Sequence, residues 1–287
     1  MHFVEAKGIL SAANGINIYR GCTHGCIYCD SRSSCYNMDH AFEDIEVKIN
    51  APQLLDKKLA SKRKKCMIGT GSMCDPYLPA EKELKLTQQC LDIIEKHGFG
   101  AAVLTKSDLI LRDIDILASI NEQSKAVVQI TMTTFDEELC RIVEPNVCTT
   151  KRRFEALMEM KKRNIPTVVW LSPFLPYIND NEENLAGLLE YCAEAEVKGV
   201  VCFGIGLTLR NGNREYYYSA LDKHFHGLSD IYRREYGNSY EIVSRNNKKL
   251  MSILNEFCDK HNMISDINKC FSYLNDYPDK YEQLSFF

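Results

Sequence analysis

Apolar residues recur along this chain in short continuous runs rather than in strict alternation. Cys66-Met67-Ile68-Gly69, Ala101-Ala102-Val103-Leu104, Ala126-Val127-Val128-Gln129-Ile130, Pro166-Thr167-Val168-Val169-Trp170-Leu171 and Gly199-Val200-Val201-Cys202-Phe203 each run into a cluster of small or polar residues. Between them, about 81–96, 113–120, 150–163 and 182–195 carry helical spacing, with Phe154, Leu157 and Met158 on one face of the third. Counting the segment 16–19, six strand-like runs alternate with helices. Runs rich in Val and Ile, each followed by a helix, predict a buried parallel sheet. Right-handed crossovers wind such a sheet into a doubly wound layer or an open or closed barrel.

The flanks are less regular. The first fifteen residues give little. Glu43, Ile45, Val47 and Ile49 fit a short edge strand, and Pro52 opens a helix through Leu54, Leu55 and Leu59. After residue 206 the rhythm stops. Residues 214–236 and 245–261 read as helices, and 264–287, rich in Tyr and Phe, reads as a strap on the core or a closure of one barrel mouth. The expected division is a barrel core over 1–210 and a helical, aromatic extension over 211–287, packed as one structural domain without a linker.

Composition narrows the class. A chain of 287 residues suits a single α/β barrel, and 45% hydrophobic with 26% charged residues is ordinary for a globular protein. No apolar run reaches the roughly 18 residues of a membrane span. The N-terminus lacks the basic head and apolar core of a signal peptide. A cytoplasmic location is therefore expected. A net charge of −4 excludes a global basic field. Local basic runs (Lys57, Lys58, Lys62, Arg63, Lys64, Lys65; Lys151 to Arg153; Lys161 to Arg163) read as solvated helix faces or as phosphate contacts. Of thirteen cysteines, Cys90, Cys140, Cys192, Cys202 and Cys258 stand alone in apolar segments and read as buried free thiols rather than a disulfide scaffold.

Three other cysteines behave differently. Cys22, Cys26 and Cys29 fall within eight residues in the spacing C-x3-C-x2-C, with Gly21 and Gly25 before the first two and Tyr28 before the third. Thiolates this close in a reducing compartment read as metal ligands. A 4Fe–4S cluster held by three cysteines leaves one iron open. Zinc wants a fourth ligand, which His24 or Cys35 would supply. Three unrelated buried thiols is the plainest alternative.

The C-x3-C-x-aromatic-C loop at the end of a first strand resembles the radical S-adenosylmethionine (SAM) superfamily. Gly69-Thr70-Gly71-Ser72-Met73-Cys74-Asp75-Pro76-Tyr77-Leu78-Pro79-Ala80-Glu81 is similar to a segment of its spore-photoproduct-lyase-like branch. So are Thr105-Lys106-Ser107 with Arg112-Asp113, and Pro173, Pro176, Asn179 and Asp180. The resemblance covers about 15–240. It implies an α/β fold of partial (β/α)6 TIM-like barrel type with a C-terminal helical extension. It also implies a 4Fe–4S cluster on Cys22, Cys26 and Cys29, with SAM chelating the fourth iron. Tyr28 is then expected near the adenine, and Gly69, Thr70 and Gly71 near the methionine amino group. Thr131 and Thr133 are expected near the ribose, Arg153 (or Arg152) near the carboxylate, and Gly204 near the adenine. Thr131 and Thr133 read equally as β-formers, and Arg153 as a surface arginine. Lys106 is a candidate contact to substrate or to the SAM carboxylate. Cys74 is a candidate hydrogen-atom donor or a packed thiol, and Asp75-Pro76 is a turn pair or part of the catalytic loop.

The implied activity is reductive cleavage of SAM to a 5′-deoxyadenosyl radical that abstracts a hydrogen atom from the substrate. A flavodoxin- or ferredoxin-type electron donor is implied as partner. The substrate is open: nucleic-acid-derived, as in the spore lyase, or a peptide or small metabolite. A non-catalytic zinc or iron–sulfur protein is the remaining alternative.

Overall fold

The computed structural model describes residues 1–71 and 73–278. Ser72 of the second-strand motif and the 279–287 part of the expected tail lie outside the described residues. Six parallel strands pair in chain order: Gly15–Ile16, Met67–Thr70, Gly100–Thr105, Ala126–Thr131, Thr167–Trp170 and Gly199–Val201. The register sets Met67 opposite Gly100, Ala101 opposite Ala126, Val128 opposite Thr167 and Val168 opposite Gly199. Helices Ala51–Ser61, Leu86–Lys96, Ile114–Gln123, Thr150–Lys162 and Glu182–Glu194 carry the crossovers. This is the partial (β/α)6 barrel with C-terminal helices that the resemblance implies, one of the parallel-sheet architectures the run-and-helix rhythm allows.

The strands lack an alternating polar face because both faces are buried. Successive side chains point to opposite sides of a strand. Val103, Val128, Ile130, Val169 and Val200 pack outward with Leu91, Leu117, Leu157 and Leu188 of the crossover helices. Ala102, Val127, Val168 and Val201 point inward, against Cys270 and Leu274 of the helix Ile267–Asn275. Burying each such Val or Leu contributes about 1.5–3 kcal/mol before entropy is counted.

The last helix is anchored at the N-terminal ends of the strands. Lys125 Nζ donates to Tyr273 O (2.6 Å) and Asp276 O (3.0 Å), the Tyr277 hydroxyl to Gly98 O (2.9 Å), and Val200 N to Ile264 O (2.7 Å). It therefore closes the end opposite the cysteine loop. The mouth beside the cysteines is bordered instead by an antiparallel strand pair, Gly206–Thr208 against Glu241–Val243.

Other expectations shift for identifiable reasons. The helix expected over 81–96 is two, Glu81–Leu84 and Leu86–Lys96, broken at Lys85 with φ +51°. The buried Glu81 carboxylate turns back to accept Thr87 N at 3.1 Å, satisfying an orphan donor of the second helix, and also accepts the Tyr19 hydroxyl and Arg112. The segment 214–236 likewise splits into Asn213–His224 and Leu228–Tyr236 around Gly227. Of 16–19, only Gly15–Ile16 enters the barrel, and Tyr19–Arg20 joins a separate three-stranded sheet. There Glu46–Lys48 is the central strand rather than an edge, between Tyr19–Arg20 and the unforeseen His2–Val4. The five lone cysteines are free and buried. Among the described residues no helix is long and apolar enough to cross a membrane.

Candidate functional site

The cysteine loop leaves Tyr19–Arg20 through Gly21 at φ +88°. A Cβ there would stand 2.5 Å from Phe42 O, so only glycine allows that close approach. Cys22 N donates to the same carbonyl at 2.9 Å. On its other side the loop rests on the segment after the helix Glu137–Val143. Ile27 N donates to Val143 O (3.0 Å), Asn146 N to His24 O (3.1 Å) and Asn146 Nδ2 to Thr23 O (2.9 Å).

Held this way, Cys22, Cys26 and Cys29 all open onto one cavity of about 540 Å³ at the C-terminal ends of the strands. Barrels place chemistry at that end. Gly71, Lys106, Thr131, Ser172 and Gly204 reach the cavity from five strand ends, with Trp170, Phe203, Leu207 and Ile242 as apolar wall. Of the expected site residues, Tyr28, Gly71, Cys74, Lys106, Thr131 and Gly204 share this lining with the three cysteines. Gly69, Thr70, Thr133 and Arg153 do not belong to it.

Arg153 sits inside the wall rather than on the surface or in the cavity. It is fully buried and pairs with buried Glu144, Nη2 to Oε2 at 2.6 Å. It also donates to Thr131 O and Cys148 O, each at 3.0 Å. Glu144 in turn accepts the Tyr28 hydroxyl. A buried chain, Arg153 to Glu144 to Tyr28, thus fixes the aromatic position of the cysteine loop from behind. Burial works against the Glu144 charge, but Arg153 and Lys106 outweigh it and hold the carboxyl below its ordinary range. Arg152, the alternative, pairs on the surface with Asp108 (3.0 Å) and with Glu155. Thr133 is buried and its carbonyl accepts Asn179 Nδ2 and Asn184 Nδ2.

Asp75 joins three parts of the site. It accepts Thr105 Oγ1 (2.6 Å), Lys106 N (2.7 Å) and Tyr77 N (2.9 Å), and faces His24 Nδ1 at 3.6 Å. Burial disfavours charge on Lys106, yet Cys26, Glu144 and Asp75 outweigh it and keep the ammonium above its ordinary pKa. Cys74 Sγ donates to Gly21 O at 2.7 Å. The neighbouring Cys74 thiol, opposed by burial and helped by His24, pulls Cys22 down to about 5. The same contact and burial push Cys74 well up, so it stays a neutral thiol. Burial raises Cys26 and Cys29. The three sulfurs are spread: among the described residues they do not form a trio within 4.8 Å.

Glu144 and the residues Leu207 and Ile242 of the antiparallel strand pair escaped sequence reasoning, and His24, a candidate fourth metal ligand by sequence, instead faces Asp75.

Comparison with known proteins agrees with this fold. An uncharacterized protein of Mycobacterium tuberculosis is 30% identical over 229 residues, covering 77% of this chain and 66% of its own length, so the match spans slightly less than two thirds of that relative. One from Methanocaldococcus jannaschii is 34% identical over 169 residues, covering 58% of this chain and 62% of its own. Among solved structures, spore photoproduct lyase complexed with dinucleoside spore photoproduct aligns with a TM-score of 0.64, over 90% of this chain and 78% of that one. At 13% identity the likeness is one of fold. The profile of the Radical SAM superfamily matches residues 16–189, more than half of the chain. From the cysteine loop through the fifth barrel strand, therefore, the chain belongs to the radical SAM superfamily, whose enzymes work with a 4Fe–4S cluster and SAM.

Proposed function

We propose that this enzyme takes a hydrogen atom from an organic substrate held in the cavity at the barrel mouth. The observation that carries the reading is the opening of Cys22, Cys26 and Cys29 onto one cavity ringed by strand ends. Those three residues would hold the cluster. The donor set fits it. Thiolates on one tetrahedral zinc, about 2.3 Å from the ion, stand about 3.8 Å apart, whereas these three do not all lie within 4.8 Å of one another. One of the three, Cys22, already favours the thiolate. When bound, cluster and SAM supply one-electron cleavage of a sulfonium and carbon-radical chemistry.

The remaining work falls to the chain. Gly71, at φ +95° and packed on Leu104 O, brings backbone to the cavity edge without a side chain between. Thr131 offers a hydroxyl and Gly204 open backbone at neighbouring strand ends. Tyr28 stays in one position because Glu144 and Arg153 hold it. Lys106 keeps a cation in the wall, suited to a carboxylate of SAM or substrate. Trp170, Phe203, Leu207 and Ile242 exclude water from a reactive species. Cys74 keeps an S–H against Gly21 and lines the cavity, so it is the group placed to return a hydrogen atom to a product radical. The reducing electron comes from a flavodoxin- or ferredoxin-type donor.

A nucleic-acid-derived substrate is one reading, after the dinucleoside bound by the lyase of the same fold. A peptide or small metabolite is the second, and the cavity lining favours it. Among the described lining residues Lys106 is the single lysine or arginine, beside Asp30, Asp75 and Glu241. The basic stretch 57–65 follows Ala51–Ser61 to the N-terminal ends of the strands, where Lys65 Nζ donates to His97 O, away from the mouth.

The test is anaerobic loading with iron and sulfide, followed by SAM and dithionite, with 5′-deoxyadenosine measured by chromatography. The wild type is expected to form it and Cys26→Ala to lose both iron and product. A fully loaded wild type that makes none, with either substrate class present, overturns the proposal. Deuterated candidates then identify the substrate by deuterium in the 5′-deoxyadenosine.

A further inference from the structure

We infer that the chain carries a second metal site, for a single zinc-class divalent ion, formed by His2, His40 and Asp44 on the side sheet. Each of the three presents one ligand atom, and these atoms lie within 4.8 Å of one another. His2 comes from the strand His2–Val4, and His40 and Asp44 from the loop that leads into Glu46–Lys48. His2 Nδ1 already stands 2.9 Å from Asp44 Oδ2, and the two imidazole rings meet edge to face with centroids 4.9 Å apart.

His40 supplies the independent observation. Its Nδ1 lies 3.0 Å from Ala41 O, a carbonyl that can only accept, so Nδ1 carries the proton. Nε2 is then an unprotonated acceptor. It is closed off from solvent and has no hydrogen-bond partner. Leaving such an atom buried and unmatched carries a desolvation penalty. A metal-binding histidine has this arrangement: one ring nitrogen donates to a backbone carbonyl and the other offers its lone pair. Two imidazoles and a carboxylate suit zinc, with water as fourth ligand. At zinc–nitrogen distances of about 2.0–2.1 Å, tetrahedral ligands stand about 3.3 Å apart, so the trio must draw in. His2 and Asp44 have room for this, because their side chains are 39% and 40% exposed. The ion replaces the proton shared between them and competes with the Met1 ammonium, which stands 2.6 Å from Asp44 Oδ1.

The position gives the site a role. The loop holding His40 and Asp44 also holds Phe42, whose carbonyl accepts Cys22 N and closes on Gly21. An ion tying that loop to the N-terminal strand would stiffen the ledge under the first cysteine. It is a structural staple, spatially separate from the cavity.

The test uses the full chain, tagged at the C-terminus and loaded with its cluster so that the three cysteines are occupied. It is mixed with zinc sulfate, desalted, and analysed for iron and zinc. The wild type is expected to keep about one zinc per chain beside its iron. His40→Ala and Asp44→Ala are expected to keep the iron and helical circular dichroism but to bind zinc at least about tenfold more weakly. Cobalt in place of zinc should give visible d–d bands without sulfur-to-cobalt charge transfer. If the loop variants lose iron as well, His2→Ala, on the neighbouring strand, decides in their place. Absence of zinc from the wild type, zinc binding unchanged in these variants, or a sulfur charge-transfer band each overturns the inference.

Discussion

Cys74 and Glu144 decide the most at the level of single residues. Cys74 donates its proton to Gly21 O and stands beside Cys22 without belonging to the C-x3-C-x2-C loop. Cys74→Ala is therefore expected to leave iron content and SAM cleavage within about twofold of wild type, while the fate of the substrate radical changes. Product analysis with a deuterated solvent checks this; loss of the cluster would make Cys74 structural instead. Glu144 is the buried partner of buried Arg153. Removing one member of such a pair costs about 3–5 kcal/mol, because the other charge remains unmatched. Arg153→Leu is expected to lower stability by that amount in denaturant titration. The sign of the pH effect follows from the lowered Glu144 pKa. The stabilisation is full above its ordinary value of 4.5 and fades as pH falls through the lower folded value. The stability gap between wild type and Glu144→Gln should thus be constant near neutrality and close in acid. The cysteine trio was legible because its spacing is chemistry written along the chain. Glu144 was not: its meaning comes from Tyr28 and Arg153, which lie 116 residues before it and nine residues after it (153 − 144).

At the level of elements, the strands announced themselves and the joints did not. Continuous Val-rich runs such as Val127-Val128 mark strands buried on both faces, and all six residues of Ala126–Thr131 are buried. The break at Lys85 depends on a carboxylate turning back to cap the next helix, and the spacing of apolar residues passes over it. The antiparallel pair of Gly206–Thr208 with Glu241–Val243 joins strands over thirty residues apart, beyond the reach of local pattern. The Gly71 joint is the most exacting. A Cβ there would lie 2.0 Å from Leu104 O, and φ is +95°. Gly71→Ala is expected to cost well over about 1 kcal/mol and to displace the strand end that faces the cysteines. A lowered melting temperature together with weaker SAM binding, read by equilibrium dialysis, would bear this out.

For the whole molecule, the barrel is closed asymmetrically. One end receives the C-terminal helix, and the other keeps a cavity bordered by an antiparallel strand pair. The parallel architecture could be read from the order of runs and helices. Which end the tail would close could not, because that depends on Lys125, Gly98 and Val200 meeting Tyr273, Asp276, Tyr277 and Ile264. Ending the chain after residue 263 would uncover Val127, Val168 and Val201. The expected outcome is loss of cooperative thermal unfolding, measured by circular dichroism. A truncated chain melting within about 2 °C of wild type would show that the inner face has other cover.

The helix at the closed end and the cavity at the open end meet at one side chain. Trp170 lines the cavity, touches Phe271 of the closing helix edge to face at 5.9 Å, and lies 5.8 Å from Phe203 at the rim. It is also the chain's one tryptophan. The protein thus contains its own optical gauge: its indole fluorescence comes from the wall of the reaction chamber and from nowhere else. A molecule entering from the front, or a loosening of the helix behind, changes the same signal, and Trp170→Phe turns it off.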